Sequence, residues 1–226
     1  HKTFMHFKAV CFDLDGTLLD SLADLANCTN KILLKRGFPQ HPEEAYRYFV
    51  GDGARVLMTR VLPEEARTET LIEECRQDFE TAYRDCWDEQ TVPYKDIPEL
   101  LNALQKRQLQ LTVLSNKPHE FTLLAVEHLL PDWKFEMILG QREGVEPKPD
   151  PAGMLDICQQ LDIPADAFLY LGDTATDMKT AVSAGCFPVG VLWGFRTEEE
   201  LRDNGALAIA KEPFDVLDLL KQGNQH

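Results

Sequence analysis

Lys8-Ala-Val-Cys-Phe-Asp-Leu-Asp-Gly-Thr-Leu18 is the stretch on which the fold turns. Val10, Cys11, Phe12 and Leu14 form an apolar run with no polar alternation before Asp13, the pattern of a central parallel strand covered on both faces. Asp13 and Asp15 then fall where that strand should end. Residues two apart on an extended chain point to the same side, roughly 6 to 7 Å apart. Both acids can therefore address one ligand in the crevice beyond the strand tip. Gly16 lets the backbone turn sharply and Thr17 sets a hydroxyl beside the acids. An acid pair there calls for a cation or a proton, although the same residues also suit a solvated acidic turn.

Downstream of this stretch the chain has two textures. From Leu18 to about Gln90 the pattern is helical throughout. Asp20-Ser21 can cap a helix running to Arg36 and stopped by Gly37, and Pro42-Glu-Glu opens a short one. Gly51-Asp-Gly-Ala-Arg feeds a third, and Pro63-Glu-Glu starts a long helix to about Trp87. From Val92 the texture changes. Strands are expected at Leu109 to Leu114, Phe135 to Leu139, Phe168 to Leu171, Val189 to Leu192 and Ala206 to Ala210, with helices between them. This alternation predicts an α/β fold, a Rossmann-like parallel sheet with helices on both faces. A crossover between parallel strands needs only about 10 to 12 residues, far fewer than separate Asp15 from Leu109. Residues 18–90 are therefore expected to form an inserted helical domain, with the core split into 5–17 and 91–222. Leaving and re-entering beside the aspartates suits a lid.

The composition narrows the function. The 226 residues are 44% hydrophobic and carry a formal charge of -15, which argues against a nucleic-acid backbone as partner. No apolar run approaches the roughly 20 residues of a membrane span and no secretory leader is evident, so a cytoplasmic location is expected. Met5 is the expected natural start, with the residues from His1 to Phe4 additional. Cys11, Cys28, Cys75, Cys86, Cys158 and Cys186 are scattered without a C-x-x-C pair and read as reduced, buried small hydrophobes.

Other strand tips carry polar groups that could reach the same crevice. Ser115-Asn116-Lys-Pro offers a hydroxyl and a helix start able to receive phosphate oxygens, or simply a cap. Lys148, between prolines in Glu146-Pro-Lys-Pro-Asp-Pro, is an ammonium on a rigid turn. Gly172-Asp173-Thr-Ala-Thr-Asp177 sets two carboxylates four apart on one side of a first helical turn, where the helix dipole also favours acids.

Taken in order, Asp13-x-Asp15-Gly-Thr, Ser115-Asn116, Lys148 and Gly172-Asp173-x-x-x-Asp177 resemble the haloacid dehalogenase superfamily across essentially the whole chain, and the insert looks like its type 1 cap. An acid at Asp15 is a feature of that family's phosphatases and phosphomutases, and Ser115-Asn-Lys-Pro looks like the phosphoglycolate phosphatase branch. The resemblance implies a phosphoric monoester hydrolase acting on a small phosphorylated metabolite, with 2-phosphoglycolate as leading candidate. Asp13 would be the nucleophile and Asp15 the general acid and base. Mg2+ would take Asp13, the Asp15 carbonyl and Asp173, with Asp177 orienting its shell. Ser115, Asn116, Lys148, Gly16 and Thr17 would hold the phosphate. Arg55, in the turn after Gly51, is the expected partner of the substrate's far end. A phosphosugar mutase uses the same two aspartates, and a non-catalytic phosphate-binding protein would keep the fold without the chemistry.

Overall fold

The structure is a computed structural model that describes residues 6–223; Met5 and the residues before it lie outside them. Six strands, β1 (Ala9–Phe12), β4 (Gln110–Pro118), β5 (Phe135–Gln141), β6 (Phe168–Gly172), β7 (Phe187–Val191) and β8 (Ala208–Ala210), form one parallel sheet in the order β5-β4-β1-β6-β7-β8. Two short strands, β2 (Leu19–Asp20) and β3 (Val92–Pro93), pair separately as an antiparallel ribbon. The sheet agrees with the α/β architecture expected of the alternating pattern.

The unbroken apolar run of β1 is explained by burial on both faces. Val10 and Phe12 belong to a core shared with the helices α5 (Ile97–Lys106), α6 (His119–Leu129) and α10 (Asp215–Gly223). Ala9 and Cys11 turn to the other face, against α7 (Ala152–Leu161) and α8 (Ala175–Ala184). A sixth helix of this half, α9 (Glu198–Asp203), follows β7. Because β1 lies between β4 and β6, the order in which strands are added reverses beside it. Crevices of open α/β sheets form at such a reversal, outside the carboxyl ends of the strands.

Between β2 and β3 run α1 (Leu22–Lys35), α2 (Tyr46–Phe49), α3 (Ala54–Val61) and α4 (Glu69–Cys86), with short 3-10 turns at Glu43–Ala45 and Glu64–Ala66. The uninterrupted helical texture read from Leu18 onward misses β2, whose two residues are too few to alternate. The departing and returning chains lie side by side, joined by the ribbon and by Asp24. Its buried carboxylate accepts hydrogen bonds from the N–H groups of Gln90 and Thr91 at 2.9 and 2.8 Å and from the Thr91 hydroxyl at 2.6 Å.

Further contacts hold these helices over the strand tips. Arg196, after β7, donates to the carbonyls of Arg47 at 2.7 Å, Val50 at 3.1 Å and Tyr48 at 3.3 Å. Arg47 in turn reaches the carbonyl of Gly194 at 3.0 Å.

One expectation is corrected here. Cys28 on α1 and Cys86 at the end of α4 form a disulfide, with Cα atoms 6.3 Å apart. The packing of α1 against α4 joins cysteines 58 positions apart in sequence, a pairing to which local spacing is blind. Cys11, Cys75, Cys158 and Cys186 are free thiols.

Candidate active site

Asp13 is the first residue beyond β1. Its N–H still bonds the Leu171 carbonyl of β6 at 3.0 Å, so the ladder sets the position of its carboxylate at the sheet's edge. The carboxylate is buried and accepts the Leu14 N–H at 2.8 Å. Burial pushes the Asp13 carboxyl well above its ordinary range, the neighbouring charge of Asp177 adds to this, and Lys148 opposes it.

Lys148 is the cation among these acids. Its ammonium lies 3.1 Å from Asp13 Oδ1, 2.8 Å from Asp177 Oδ1 and 2.9 Å from the Leu114 carbonyl. Burial alone would disfavour its charge, but the carboxylates of Asp13 and Asp177 outweigh that and hold it charged. Asn116 places the lysine's backbone, with its amide donating to the Lys148 carbonyl at 3.0 Å and accepting the Lys148 N–H at 2.8 Å. The residue read as a phosphate ligand therefore also positions the lysine.

The second acid pair follows β6. Thr174 caps α8 by accepting the Asp177 N–H at 3.3 Å, while Asp177 accepts from the Thr174 hydroxyl at 3.0 Å and the Asp173 N–H at 3.2 Å. This is the reciprocal logic of a capping box, here with the capping acid also paired to Lys148. Burial raises the Asp177 carboxyl, yet Lys148 and these hydrogen bonds outweigh burial and hold it below its ordinary value. Asp173 is fully buried and accepts from the Thr17 hydroxyl at 3.2 Å and the Phe195 N–H at 3.0 Å. Burial and the charge of Asp177 push it up to about 7. Gly16, at φ +88°, has no room for a side chain, since a Cβ there would overlap the Asp173 carboxylate. Thr17 and Gly16 thus shape the Asp173 side of the site.

Asp13, Asp173 and Asp177 offer oxygens within 4.8 Å of one another. Among the described residues these three buried carboxyl groups share one ammonium, so on ionising they carry excess negative charge, and the donors are all hard oxygens. This set fits a small divalent cation such as Mg2+ better than a thiophilic metal.

Asp15 faces the other side of Asp13. It accepts the Ser21 hydroxyl at 2.6 Å and both its oxygens lie 3.0 Å from Lys117 Nζ. Lys117 also donates to the Tyr83 hydroxyl of α4 at 2.7 Å. Burial would lower Lys117, but Asp15 outweighs it and the ammonium stays charged. Ser21, read as a helix cap, makes no cap hydrogen bond and serves Asp15 instead. Lys117 and Tyr83 were not singled out by the sequence. The one local signal for Lys117 was its place directly after the hydroxyl and amide of the β4 tip, where the β4–β5 register breaks between Leu114 and Pro118.

These residues line a pocket formed by Asp13, Asp15, Ser115, Asn116 and Lys117 together with the apolar side chains of Leu25, Val50, Leu57 and Phe79. Arg55 is not in it. It is half exposed, ion-paired with Glu69 and 3.7 Å from Glu73, and lines an adjoining cleft that shares Gly53, Ala54, Asn116 and Pro118 with the pocket and also holds Arg76 and Arg142. Trp193 donates its indole N–H to the Thr17 carbonyl at 2.8 Å.

The family model for haloacid dehalogenase-like hydrolases matches residues 10–191. The chain is 33% identical over 221 residues to a phosphoglycolate phosphatase of Chromobacterium violaceum, covering 96% of this chain and 98% of that protein. A phosphoglycolate phosphatase of Pseudomonas putida is also 33% identical, over 95% of this chain and 77% of its own. Among solved structures, one from Lactobacillus delbrueckii subsp. bulgaricus, assigned as a phosphoglycolate phosphatase, superposes with a TM-score of 0.90 at 30% identity, covering 96% of this chain and 99% of that one. A Bacteroides vulgatus protein assigned as a beta-phosphoglucomutase shares the fold, with a TM-score of 0.79 at 20% identity over 98% of this chain and 90% of its own. The chain belongs to the haloacid dehalogenase-like hydrolase family, as a phosphatase.

Proposed function

We propose that the protein is a Mg2+-dependent phosphomonoesterase that works through an aspartyl phosphate on a small metabolite, with 2-phosphoglycolate as the leading substrate. The observation that carries this reading is the placement of Asp13, which touches Lys148 on one side, offers an oxygen within 4.8 Å of oxygens of Asp173 and Asp177, and opens on the other side to the pocket it shares with Asp15.

In the first half-reaction an Asp13 oxygen attacks phosphorus and the bond from phosphorus to the ester oxygen breaks. The departing oxygen takes a proton from the Asp15 carboxyl. In the second, Asp15 takes a proton from water as the water oxygen attacks phosphorus. The bond to Asp13 then breaks and inorganic phosphate leaves. Charge on the phosphoryl oxygens is met by Lys148, by the Ser115 hydroxyl and by the backbone N–H of Asp15, since those of Leu14 and Gly16 donate to Asp13 and to the Leu19 carbonyl. Asp13 and Asp173, with Asp177 beside them, would hold Mg2+, which would supply further charge neutralisation.

Residues 18–90 act in this reading as a cap whose closure excludes water, with hinges at the β2–β3 ribbon. The helices packed over Asp13 and Asp15 and the formal charge of -15 favour a small ester over a phosphoprotein or nucleic acid.

The test is a screen of phosphate esters with Mg2+ and with chelator, following both released phosphate and isomerised product. Phosphate release that needs Mg2+, strongest on phosphoglycolate, is expected. Isomerisation of a phosphosugar without phosphate release would overturn the hydrolase reading, and rapid release from a nucleotide or sugar phosphate but not from phosphoglycolate would overturn the substrate.

A further inference from the structure

Among the described residues that line the pocket over Asp13 and Asp15, Lys117 is the sole cation. The other charged groups there are the two aspartates, and the far wall is apolar. Lys148 lies on the phosphoryl side, against Asp13, Asp177 and the Leu114 carbonyl. Arg55 pairs with Glu69 in the neighbouring cleft. An anionic group carried by the substrate in addition to its phosphate therefore has one ammonium to meet.

We infer that Lys117 is the residue that selects a carboxylated leaving group, binding a carboxylate one methylene beyond the ester oxygen. This rests on the phosphatase reading and deepens it. The argument is positional. Asp15 has to reach the ester oxygen to protonate it, so whatever hangs on that oxygen lies beside Asp15. Lys117 Nζ is 3.0 Å from the Asp15 carboxylate. An ammonium has three N–H donors, and among the described residues its hydrogen bonds go to Asp15 and to the Tyr83 hydroxyl, which leaves one donor for an incoming oxygen. Lys117 is nearly enclosed, with a side chain 7% exposed, so a carboxylate that reaches it is met in a poorly screened setting where charge-assisted hydrogen bonds are strong. The bond to Tyr83 on α4 further couples this ammonium to the cap.

The test compares 2-phosphoglycolate with ethyl phosphate, which carries a methyl where the former has its carboxylate. Lys117→Met should lower kcat/KM for phosphoglycolate about 10- to 100-fold more than for ethyl phosphate, mostly through KM, the range of a hydrogen bond to a charged group. Lys117→Arg should recover part of the difference. An equal loss on both esters would reduce Lys117 to a structural partner of Asp15 and overturn the inference. A measurement on the unaltered protein guards against a variant that misfolds: calorimetric titration, with Mg2+ present, of 3-phosphonopropionate and of propylphosphonate, which differ only by carboxylate against methyl. At least about 10-fold tighter binding of the carboxylated phosphonate is expected, and equal binding overturns the inference. Because these phosphonates are not turned over, this arm decides Lys117 even if no ester is hydrolysed, an outcome that would overturn the phosphatase reading separately.

Discussion

Lys148 and Asp177 meet 2.8 Å apart with side chains only 3% and 1% exposed, although one comes from the proline-flanked turn after β5 and the other from the first turn of α8. A buried ion pair so fully withdrawn from water is a weak source of net stability, but breaking it strands a charge. It makes the fold and the chemistry depend on the same atoms.

Lys148→Met should therefore destabilise the protein by about 3 to 5 kcal/mol, because Asp13 and Asp177 both lose their counter-charge. Combining it with Asp177→Asn should restore much of the stability and none of the turnover. Urea unfolding monitored by circular dichroism, beside an assay of phosphate release, checks both halves. Full recovery of activity in the double variant would remove Lys148 from the mechanism.

Asp13→Asn should abolish turnover while leaving the melting temperature equal or higher. The amide has the carboxylate's shape but neither its nucleophilic oxygen nor its repulsion from Asp177. Asp15→Asn should fall by about 10²- to 10⁴-fold, the usual contribution of a general acid and base. Mass spectrometry of the Asp15→Asn protein after brief exposure to substrate should find the phosphoryl group on Asp13, and its detection on another residue would refute the assignment.

Added Mg2+ should raise the melting temperature, and more so at high pH. Burial and Asp177 lift Asp173 to about 7. A carboxyl raised in the folded state contributes stability in its protonated form, and that contribution is lost as pH rises from about 4, the unfolded value, through about 7. The ion binds the deprotonated carboxylates and so replaces what the lost proton supplied. Scanning calorimetry should show a small Mg2+ shift near pH 5 and a larger one above pH 7, both approximate bounds taken from that titration. Chelator should remove both the shift and the activity. A pH-independent shift would place the ion elsewhere.

Gly172→Ala should cost about 1 to 3 kcal/mol and most of the activity, since overpacking at this level is typical of filled interiors. A Cβ at Gly172 would overlap the Cβ and carboxyl of Asp177, moving that acid from Lys148. Near wild-type turnover would show that the position of Asp177 is not critical.

Much of this was legible in the chain itself. The parallel sheet could be read because β1, flanked by strands and covered on both faces, leaves no position for a polar residue until Asp13. The acids at 13, 15, 173 and 177 could be read because sequence neighbours at a strand tip or in one helical turn must share a side. Lys148 was marked by its prolines, which restrict the backbone without any tertiary help. Tertiary structure alone decided which long-range partners meet. Asn116 grips the Lys148 loop, Ser21 and Lys117 hold Asp15, Tyr83 crosses from α4 to Lys117, and Cys28 joins Cys86. Arg55, expected at the substrate's far end, pairs with Glu69 in the cleft beside the pocket. Local pattern reports the face of an element that a residue occupies, but it does not say which element is opposite. That depends on how the helices between β2 and β3 pack over the strand tips, and no spacing along the chain encodes it.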